Sequence, residues 1–580
     1  MKKIIGNIRP YIKETVLSPL LKMFEALLEL IVPLVIANII DSGIKNKSVE
    51  DVVYSSLFLV LLGAVGLGAS VLAQYYAAKA SCGFSARLRH QLFAHVQTLS
   101  YTELDRLGPS TLITRMTSDT NQVQTGLNLT LRLLMRSPFV VFGAMIMAFT
   151  IDTGIALTFV GVIAALSVIV FGIMLLTIPL YKRVQMRLDK VLLSTRENLS
   201  GARVIRAFCM EEDEARHFKA RNEALAKHQR FVGGISALMN PMTYVVVNIA
   251  IIFLIHQGAI QVDLGGLTQG EVIALYNYMS QILVELIKLA NLIISITKAL
   301  ASASRIETVL DVSCSMTFGE KKFSGIGEGL VFDNVSFSYV GAQEPSLKGA
   351  SFTVSRGETV GIIGGTGSGK TTLINLIPRF YDVTEGKITV DGTDICDFEK
   401  DSLREKIGIV TQKSALFSGT IRDNLLWGNK NATDEELLQA VRLAQAADVL
   451  EAKGGLDAEI EAGGRNLSGG QRQRLTIARA LVRHPEILIL DDAASALDFA
   501  TDRRLRCAID ELSFGGCVFI VSQRASSVMN ADKIIVLDDA EICAIGTHTE
   551  LLSSCEVYRE IYNTQFTETP AGTEGVADND

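Results

Sequence analysis

Nine consecutive residues in the second half of the chain have the types and spacing that hold phosphate groups. They are Gly364, Gly365, Thr366, Gly367, Ser368, Gly369, Lys370, Thr371 and Thr372. They lie between a short apolar run and a helical pattern, as the motif G-x-x-x-x-G-K-[ST] requires. Glycines let main-chain N–H groups turn toward phosphate oxygens, and the helix start adds its positive dipole end. The segment predicts a nucleoside triphosphate site in which Lys370 contacts phosphate and Thr371 ligates Mg²⁺.

A pair of carboxylates follows a predicted buried strand. The apolar residues 487–490 lead directly into Asp491 and Asp492. Ligands of α/β proteins bind at the carboxyl ends of the strands, so we expect Asp491 to hold Mg²⁺ through water. Many strands end in acidic residues, so this pattern alone is weak evidence for a metal site. It becomes stronger because it lies in the same domain as Lys370.

A third run opens a predicted helix with two glycines. It consists of Leu467, Ser468, Gly469, Gly470 and Gln471. Such a helix start presents N–H donors and a positive dipole end to an anion. Together with the two preceding motifs, this run resembles the LSGGQ signature of the ABC transporter family. The resemblance implies that the loop reaches across a dimer and covers the γ-phosphate of ATP bound by the other subunit.

Three further positions resemble functional residues of that family. Tyr339 is similar to the aromatic residue that stacks on adenine, for which only a π-face is needed. Gln412 resembles the glutamine that touches Mg²⁺ and senses the membrane domain. Asp498 lies in a run that resembles the loop contacting the opposite subunit. The resemblance implies ATP and Mg²⁺ as cofactors, with Thr371, Gln412 and Asp491 around the metal.

Two positions depart from the family, and both concern hydrolysis. The family has a glutamate general base where this chain has Asp492, and a histidine where it has Gln523. Loss of one methylene withdraws the carboxylate by about 1.5 Å. Misplacement by roughly 1 Å can lower a rate on the order of 10²-fold. Glutamine can hydrogen-bond but cannot carry a positive charge.

The departures spare the motifs that bind nucleotide. This pattern resembles one chain of a heterodimeric exporter with unequal ATP sites. On that interpretation the site of Lys370 binds ATP and hydrolyses it slowly. Ser468 and its neighbours would complete the competent site of a partner that carries the glutamate and the histidine. The alternatives are a homodimer that tolerates Asp492 and Gln523, a regulatory or scaffolding membrane ATPase, and an importer with an exporter-like fold.

The first half of the chain has the composition of membrane-spanning helices. Hydrophobic residues make up 48% of the 580 residues and charged residues only 20%. The mean hydropathy of +0.31 disfavours a purely soluble protein. Apolar runs at 52–78, 137–181 and 231–287 are nearly free of charge. Since a span needs about 20 helical residues, the first run holds one span and the others hold two each, with turns near Asp152 and Asp263.

A further span is predicted near the start of the chain. Ser18 followed by Pro19 is typical of a helix start, and the helix would extend to about residue 40. It carries Lys22, Glu25 and Glu29. We interpret these charges as part of an interfacial or cytosolic extension with an ion pair at positions i and i+3. An ionisable patch on a transport pathway is the alternative.

The distribution of basic residues orients the spans. The polar segments 79–136 and 182–230 carry seven and twelve Lys and Arg residues, and the opposite short loops carry two. The positive-inside rule places these segments, both termini and the nucleotide-binding domain in the cytoplasm of a multi-pass cell-membrane protein. Each segment is expected to continue the membrane helices, with tips near residues 101–109 and 208–213. The family resemblance implies that these loops couple the two domains.

The predicted fold is therefore an α-helical six-span membrane domain followed by an α/β P-loop NTPase domain. The expected divisions are a lead-in helix (1–14), the membrane domain (15–310), a linker (311–328), the nucleotide-binding domain (329–566) and a disordered acidic tail (567–580). The net charge of −7 argues against nucleic acid as a partner. The resemblance implies as partners a second half-transporter subunit, membrane lipid and an amphipathic substrate: a drug-like small molecule, a lipid or a peptide.

Overall fold

The computed structural model describes residues 2–511 and 515–566. These residues form two compact units. The membrane unit comprises the residues up to Gln97 together with Pro109–Val312. The ATPase unit comprises Thr98–Gly108 and the residues from Ser313 onward. The acidic tail predicted at 567–580 lies outside the described residues.

Long helices build the membrane unit, because lipid offers no hydrogen-bond partner to an exposed backbone. The helices of the first half of the chain are α1 (Lys2–Ile5), α2 (Ile12–Asn38), α3 (Val49–Thr98), α4 (Tyr101–Leu107), α5 (Pro109–Thr114), α6 (Thr120–Leu133), α7 (Arg136–Ile151), α8 (Thr153–Ser200), α9 (Ala202–Ala207), α10 (Glu211–Ala237), α11 (Met239–Asp263) and α12 (Gln269–Leu310). A 3₁₀ turn (Gly6–Tyr11) precedes α2, and wider π-type turns (Ile39–Ile44, Arg115–Asp119) follow α2 and α5.

Six helical stretches among the described residues are long and apolar enough to cross a membrane. They are Lys3–Ile44, Val49–Thr98, Pro109–Ile151, Thr153–Ser200, Glu211–Asp263 and Gln269–Leu310. The predicted number of spans is confirmed. The turns predicted near Asp152 and Asp263 are also confirmed, since α7 ends at Ile151 and α11 ends at Asp263.

The predicted helix start at Ser18 is wrong. The helix α2 begins at Ile12, so Ser18 and Pro19 lie inside it. Ser18 does not cap the helix, because its hydroxyl is buried and donates to Ala73 O on α3 at 2.9 Å. Proline inside a helix removes one main-chain hydrogen bond, and packing against neighbouring helices offsets this cost in membrane spans.

The first turn of α12 packs tightly against the end of α2. Thr268 and Glu271 form a capping box that fixes where α12 begins. Gly270 N donates to Asp41 Oδ1 at 3.0 Å. A Cβ atom at Gly270 would overlap Ala37 O and the Asp41 carboxylate. Only glycine fits at this crossing of two spans.

We expect Gly270→Ala to lower the free energy of unfolding by about 1–3 kcal/mol, because the added methyl group overpacks this crossing. The measurement is the melting temperature of the purified chain in detergent. The matched control is Gly172→Ala in α8, where a Cβ atom meets open space. Equal melting temperatures for the two variants would contradict the prediction.

The ATPase unit is an α/β domain. Its strands are β1 (Gly329–Phe337), β2 (Leu347–Ser355), β3 (Thr359–Gly364), β4 (Glu385–Val390), β5 (Thr393–Asp394), β6 (Ile407–Val410), β7 (Gly419–Thr420), β8 (Glu459–Ile460), β9 (Ile487–Asp491), β10 (Cys517–Val521), β11 (Lys533–Asp538) and β12 (Glu541–Gly546). Its remaining helices are α13 (Lys370–Leu376), α14 (Lys400–Glu405), α15 (Ile421–Leu426), α16 (Asp434–Leu443), α17 (Ala447–Lys453), α18 (Gly469–Leu481), α19 (Phe499–Glu511), α20 (Ala525–Val528), α21 (His548–Ser554) and α22 (Glu556–Phe566).

The larger sheet of this unit has the strand order β12-β11-β3-β10-β9-β6. All of its strands are parallel except β12, which pairs antiparallel with β11. A smaller antiparallel sheet has the order β2-β1-β4-β5. In the parallel sheet the carboxyl ends of β3, β6, β9 and β10 share one edge. Ligands of open α/β sheets bind at such an edge.

Within the ATPase unit, the helix α4 packs against the other elements through aromatic rings. Tyr101 stacks on Phe380 with ring centroids 4.6 Å apart. Tyr381 Oη donates to Asp105 Oδ2 at 2.7 Å. Tyr381 in turn lies edge-on to Tyr339, with ring centroids 5.3 Å apart. The tip predicted near residues 101–109 is therefore a short helix that belongs to the ATPase unit.

Candidate nucleotide-binding site

The phosphate-loop motif connects β3 to α13. Gly369 precedes the first turn of α13 with a φ of +95°, in the left-handed region that favours glycine. A Cβ atom there would lie 2.5 Å from Ser346 O. The loop therefore requires glycine at this position, as its motif predicts.

Lys370 lies within this loop. Its Nζ atom donates to Gly364 O at 3.0 Å, to Gly365 O and to Ser368 Oγ at 3.3 Å. Burial lowers the pKa of Lys370, whereas the carboxylates of Asp491 and Asp492 act in the opposite direction. A buried ammonium group carries a positive charge that an anion such as phosphate would pair with.

Thr371 and Asp491 meet at the carboxyl edge of the parallel sheet. Thr371 Oγ1 donates to the carboxylate of Asp491, with both oxygens 3.2 Å away. Asp491 is only 4% exposed, and this burial raises its pKa, although the hydrogen bond from Thr371 lowers it. A nearby cation would relieve this cost by stabilising the ionised carboxylate.

This donor set fits Mg²⁺ bound together with phosphate. Mg²⁺ prefers oxygen ligands and usually binds through one or two carboxylates, waters and phosphate oxygens. The Thr371 hydroxyl and the Asp491 carboxylate satisfy that requirement. No group of three or more His, Cys, Asp or Glu residues within the described ranges could hold a metal by itself.

A cavity of about 330 Å³ contains most of the predicted site residues. Its walls include Tyr339, Ser346, Thr366, Gly367, Ser368, Gly369, Lys370, Thr371, Thr372, Gln412, Asp491, Asp492, Val521, Ser522 and Gln523. The hydroxyl of Tyr339 lies 3.3 Å from Thr372 Oγ1. Sequence reasoning missed Ser346 and Ser522. Ser522 could have been inferred from its neighbour Gln523, whereas Ser346 precedes β2 and carries no motif.

The two departing residues, Asp492 and Gln523, line this same cavity. Asp492 N donates to Val521 O at 2.9 Å. Its φ of +50° is left-handed, a conformation that aspartate adopts more readily than most residues. Gln523 O accepts from Gln565 Nε2 at 2.8 Å. Both side chains are therefore positioned by main-chain contacts at the carboxyl edge of the sheet.

The predicted residues Ser468, Gly469, Gly470, Gln471 and Asp498 do not line this cavity, and neither do Gly364 and Gly365 at the start of the phosphate loop. Ser468 and Gln471 form a capping box at the start of α18. Asp498 accepts from Thr501 N at 2.9 Å and from Thr501 Oγ1 at 2.8 Å. Ser468 and Gly469 are exposed, whereas Gly470 and Gln471 are half-buried.

These features define a P-loop nucleotide-binding domain joined in one chain to a six-span membrane domain. Two family models match: the ABC transporter transmembrane region at residues 15–286 and the ABC transporter domain at residues 347–495. The chain belongs to the ABC transporter family, and it is an exporter-type half-transporter with an ATPase domain.

Three similar proteins match along nearly their whole length. An uncharacterized ABC transporter ATP-binding protein of Bacillus subtilis, YfiB, is 34% identical over 98% of this chain and 99% of its own. An ATP-dependent lipid A-core flippase of Syntrophus aciditrophicus is 30% identical over 99% and 96%. A putative multidrug export ATP-binding/permease protein of Bacillus subtilis, YgaD, is 31% identical over 97% and 99%.

A solved structure has the same fold. A bacterial Atm1-family ABC exporter with ATP bound superimposes with a TM-score of 0.79. It shares 24% sequence identity, over 97% of this chain and 99% of its own. The predicted fold class, six membrane helices followed by an α/β ATPase domain, is confirmed.

Proposed function

We propose that this chain is one half of a heterodimeric ABC exporter whose own nucleotide site binds ATP well and hydrolyses it slowly. The observation that carries the proposal is the contrast within one cavity. The parts that bind phosphate and metal are intact, whereas Asp492 and Gln523 stand where the family has its general base and its histidine.

The binding role is assigned to the phosphate loop and its neighbours. Main-chain N–H groups of residues 364–369 and the Lys370 ammonium group would hold the phosphates. Thr371 and Asp491 would hold Mg²⁺, with Gln412 beside them. Bound Mg²⁺ would supply positive charge next to the β- and γ-phosphates. Tyr339, which lines the same cavity, would stack on adenine.

Slow hydrolysis follows from the two departures. A general base must lie within hydrogen-bond reach of the proton that it abstracts. The Asp492 carboxylate is one methylene shorter than glutamate and starts from a fixed main chain, so it holds the attacking water poorly. Gln523 can donate a hydrogen bond to phosphate, but it brings no positive charge to the transition state.

The loop of Ser468, Gly469, Gly470 and Gln471 is assigned to the other nucleotide site. Its N–H groups start the 13-residue helix α18, and its residues do not line the Lys370 cavity. Helix starts favour anions. We therefore assign this loop, with Asp498 nearby, to ATP held by a partner subunit that supplies glutamate and histidine.

The assignment of cargo rests on the described relatives. One is named for lipid A-core flipping and another for multidrug export. We therefore assign export of an amphipathic drug-like molecule, lipid or peptide by alternating access. The basic segments 79–136 and 182–230 support a cytoplasmic location for the termini and the ATPase unit.

The test is the fate of nucleotide bound to the purified chain. The chain is incubated with Mg²⁺ and radiolabelled ATP, separated from free nucleotide, and its bound nucleotide is identified by chromatography. We expect intact ATP after many minutes. Rapid conversion to ADP by the chain alone would instead favour a homodimer that tolerates Asp492 and Gln523.

Removal of the Tyr339 ring provides a separate test of the adenine site. We expect Tyr339→Ala to weaken ATP binding about 10-fold or more, because stacking on a base contributes roughly 1–3 kcal/mol. Tyr339→Phe keeps the π-face and should bind ATP nearly as well as the native chain. Equal binding by both variants, measured by equilibrium dialysis, would remove Tyr339 from the site.

A further inference from the structure

The membrane unit contains a cluster of four charged side chains that the nucleotide site does not use. Glu29 lies on α2, Arg136 on α7, and Glu285 and Lys288 on α12. Arg136 is the first of the 16 residues of α7. A rise of about 1.5 Å per residue places it about 22 Å from the Ile151 end. That distance is less than the roughly 30 Å thickness of a hydrocarbon core, and ionisable side chains within such a span often mark functional sites.

Arg136 and Glu285 form the closed centre of this cluster. Arg136 Nη1 donates to Glu285 Oε1 and Arg136 Nη2 donates to Glu29 Oε2, both at 2.6 Å. Glu285 also accepts from Ser137 Oγ at 2.7 Å and from Lys288 Nζ at 2.8 Å. The side chains of Arg136 and Glu285 are only 9% and 4% exposed. These two groups neutralise each other and are covered by protein.

Glu29 and Lys288 have hydrogen-bonding groups that remain free to contact a ligand. Their side chains are 43% and 41% exposed. Within the part of the chain that the structure describes, Glu29 bonds to Arg136 through Oε2 and Lys288 bonds to Glu285. A carboxylate oxygen and further ammonium N–H groups therefore remain available, since a carboxylate accepts on both oxygens and an ammonium group donates three hydrogen bonds.

Both of these groups line a cavity of about 290 Å³. Asn277, Ser280 and Gln281 of α12 line the same cavity. The Oε1 atom of Gln281 is buried and has no hydrogen-bond partner among the described residues. A buried acceptor without a donor is uncommon in folded proteins. The cavity thus offers a negative group, a positive group and the polar side chains of α12.

Lys22 and Glu25, the other two charged residues predicted near Glu29, do not line this cavity. Lys22 Nζ donates to Glu25 Oε2 at 2.5 Å and to Ser70 Oγ at 2.8 Å. The ion pair predicted at positions i and i+3 is confirmed. Because neither residue lines the cavity, only Glu29 of the predicted charged patch faces it.

We propose that this cavity binds the zwitterionic end of an amphipathic molecule, with an ammonium group next to Glu29 and a carboxylate or phosphate group next to Lys288. The inference rests on the proposed function, because it names the substrate class of the exporter. Charge alternates along the cluster and sums to zero. A ligand with one charge is attracted at one end and repelled at the other, whereas a dipolar ligand is attracted at both. The low dielectric of the membrane enlarges this difference.

A series of capped peptides tests the proposal on the full chain. The probes are trileucine, its N-acetyl derivative, which keeps only the carboxylate, and its amide, which keeps only the ammonium group. Binding is measured by isothermal titration calorimetry in detergent without nucleotide. We expect trileucine to bind about tenfold or more tightly than either derivative, since each lost charge removes a charge-assisted hydrogen bond.

Two variants assign the charges to their partners. Glu29→Gln keeps an acceptor for Arg136 and should abolish the difference between trileucine and its N-acetyl derivative. Lys288→Gln should abolish the difference between trileucine and its amide. The matched control is Lys298→Gln, an exposed lysine of the same helix, which should preserve both differences. Unchanged discrimination in the first two variants would overturn the proposal.

A lipid arm separates the two sources of such a group. Lysophosphatidylethanolamine is compared with its N-acetyl derivative, which has lost the ammonium charge. Discrimination within the lipid pair alone identifies a lipid headgroup, and discrimination within the peptides alone identifies a peptide-like substrate. If the native chain binds all peptides equally well and both lipids equally well, the proposal is overturned, regardless of the results with the variants.

Failure of the proposed function would look different. In the same samples, binding of trinitrophenyl-ATP reports on the site of Lys370. Loss of nucleotide binding with preserved peptide discrimination would contradict the assigned ATP site and leave the zwitterion site standing. If nucleotide still binds and all probes bind with equal affinity, the zwitterion site is contradicted and the assigned ATP site stands.

Discussion

The double substitution Asp492→Glu and Gln523→His is expected to raise the ATPase activity of the chain by itself on the order of 10²-fold. The longer carboxylate would reach the attacking water, and histidine would supply a group able to carry positive charge near the γ-phosphate. Both positions line the cavity that holds Lys370, Thr371 and Asp491. The measurement is steady-state phosphate release in proteoliposomes.

The control adds Lys370→Ala to the double variant, which should abolish the gained activity. ATP-dependent crosslinking of two chains verifies that the compared samples contain equal amounts of dimer. An unchanged rate at equal dimer content would show that Asp492 and Gln523 do not limit hydrolysis.

The second large effect is expected in the complex with a partner subunit. Ser468→Arg should lower ATP turnover on the order of 10²-fold, because the bulky side chain blocks donors at the start of α18 that stabilise the transition state. Nucleotide should still bind at Lys370, since Ser468 does not line that cavity. Turnover is measured on the copurified complex, and bound nucleotide by photolabelling of each subunit.

Two control variants show whether the loss of turnover in Ser468→Arg is specific to the signature loop. Ser553→Arg places the same side chain on an exposed serine of α21 and should leave turnover unchanged. Lys370→Ala should remove labelling of this chain yet spare most of the turnover, since hydrolysis is assigned to the other site. If Lys370→Ala stops turnover as completely as Ser468→Arg, the two sites are equivalent and the asymmetric account is wrong.

Local patterns predicted most of the fold. The phosphate loop can be predicted from the sequence because its glycines, lysine and threonine are contiguous and form one short loop between a strand and a helix. The spans are readable because their apolar runs exceed the length needed to cross a bilayer. Ser18 and Pro19 misled the prediction, since the packing of α2 against α3 overrides the local preference of proline for a helix start.

Long-range contacts were beyond the reach of the sequence. Arg136 pairs with Glu29 and Glu285, which lie 107 and 149 residues away along the chain. Nothing in the local sequence of α7 indicates these partners. Ser346 joins the nucleotide cavity for the same reason, because it precedes β2 and reaches the phosphate loop only through the tertiary fold.

The steady-state ATPase rate of the purified chain, free of any second half-transporter, tests the central claim most directly. The account predicts a rate at least about 10²-fold below that of the complex with a partner bearing glutamate and histidine, with ATP still bound at Lys370. A rate for the chain alone that equals that of the complex, and that Asp492→Asn abolishes, would contradict it.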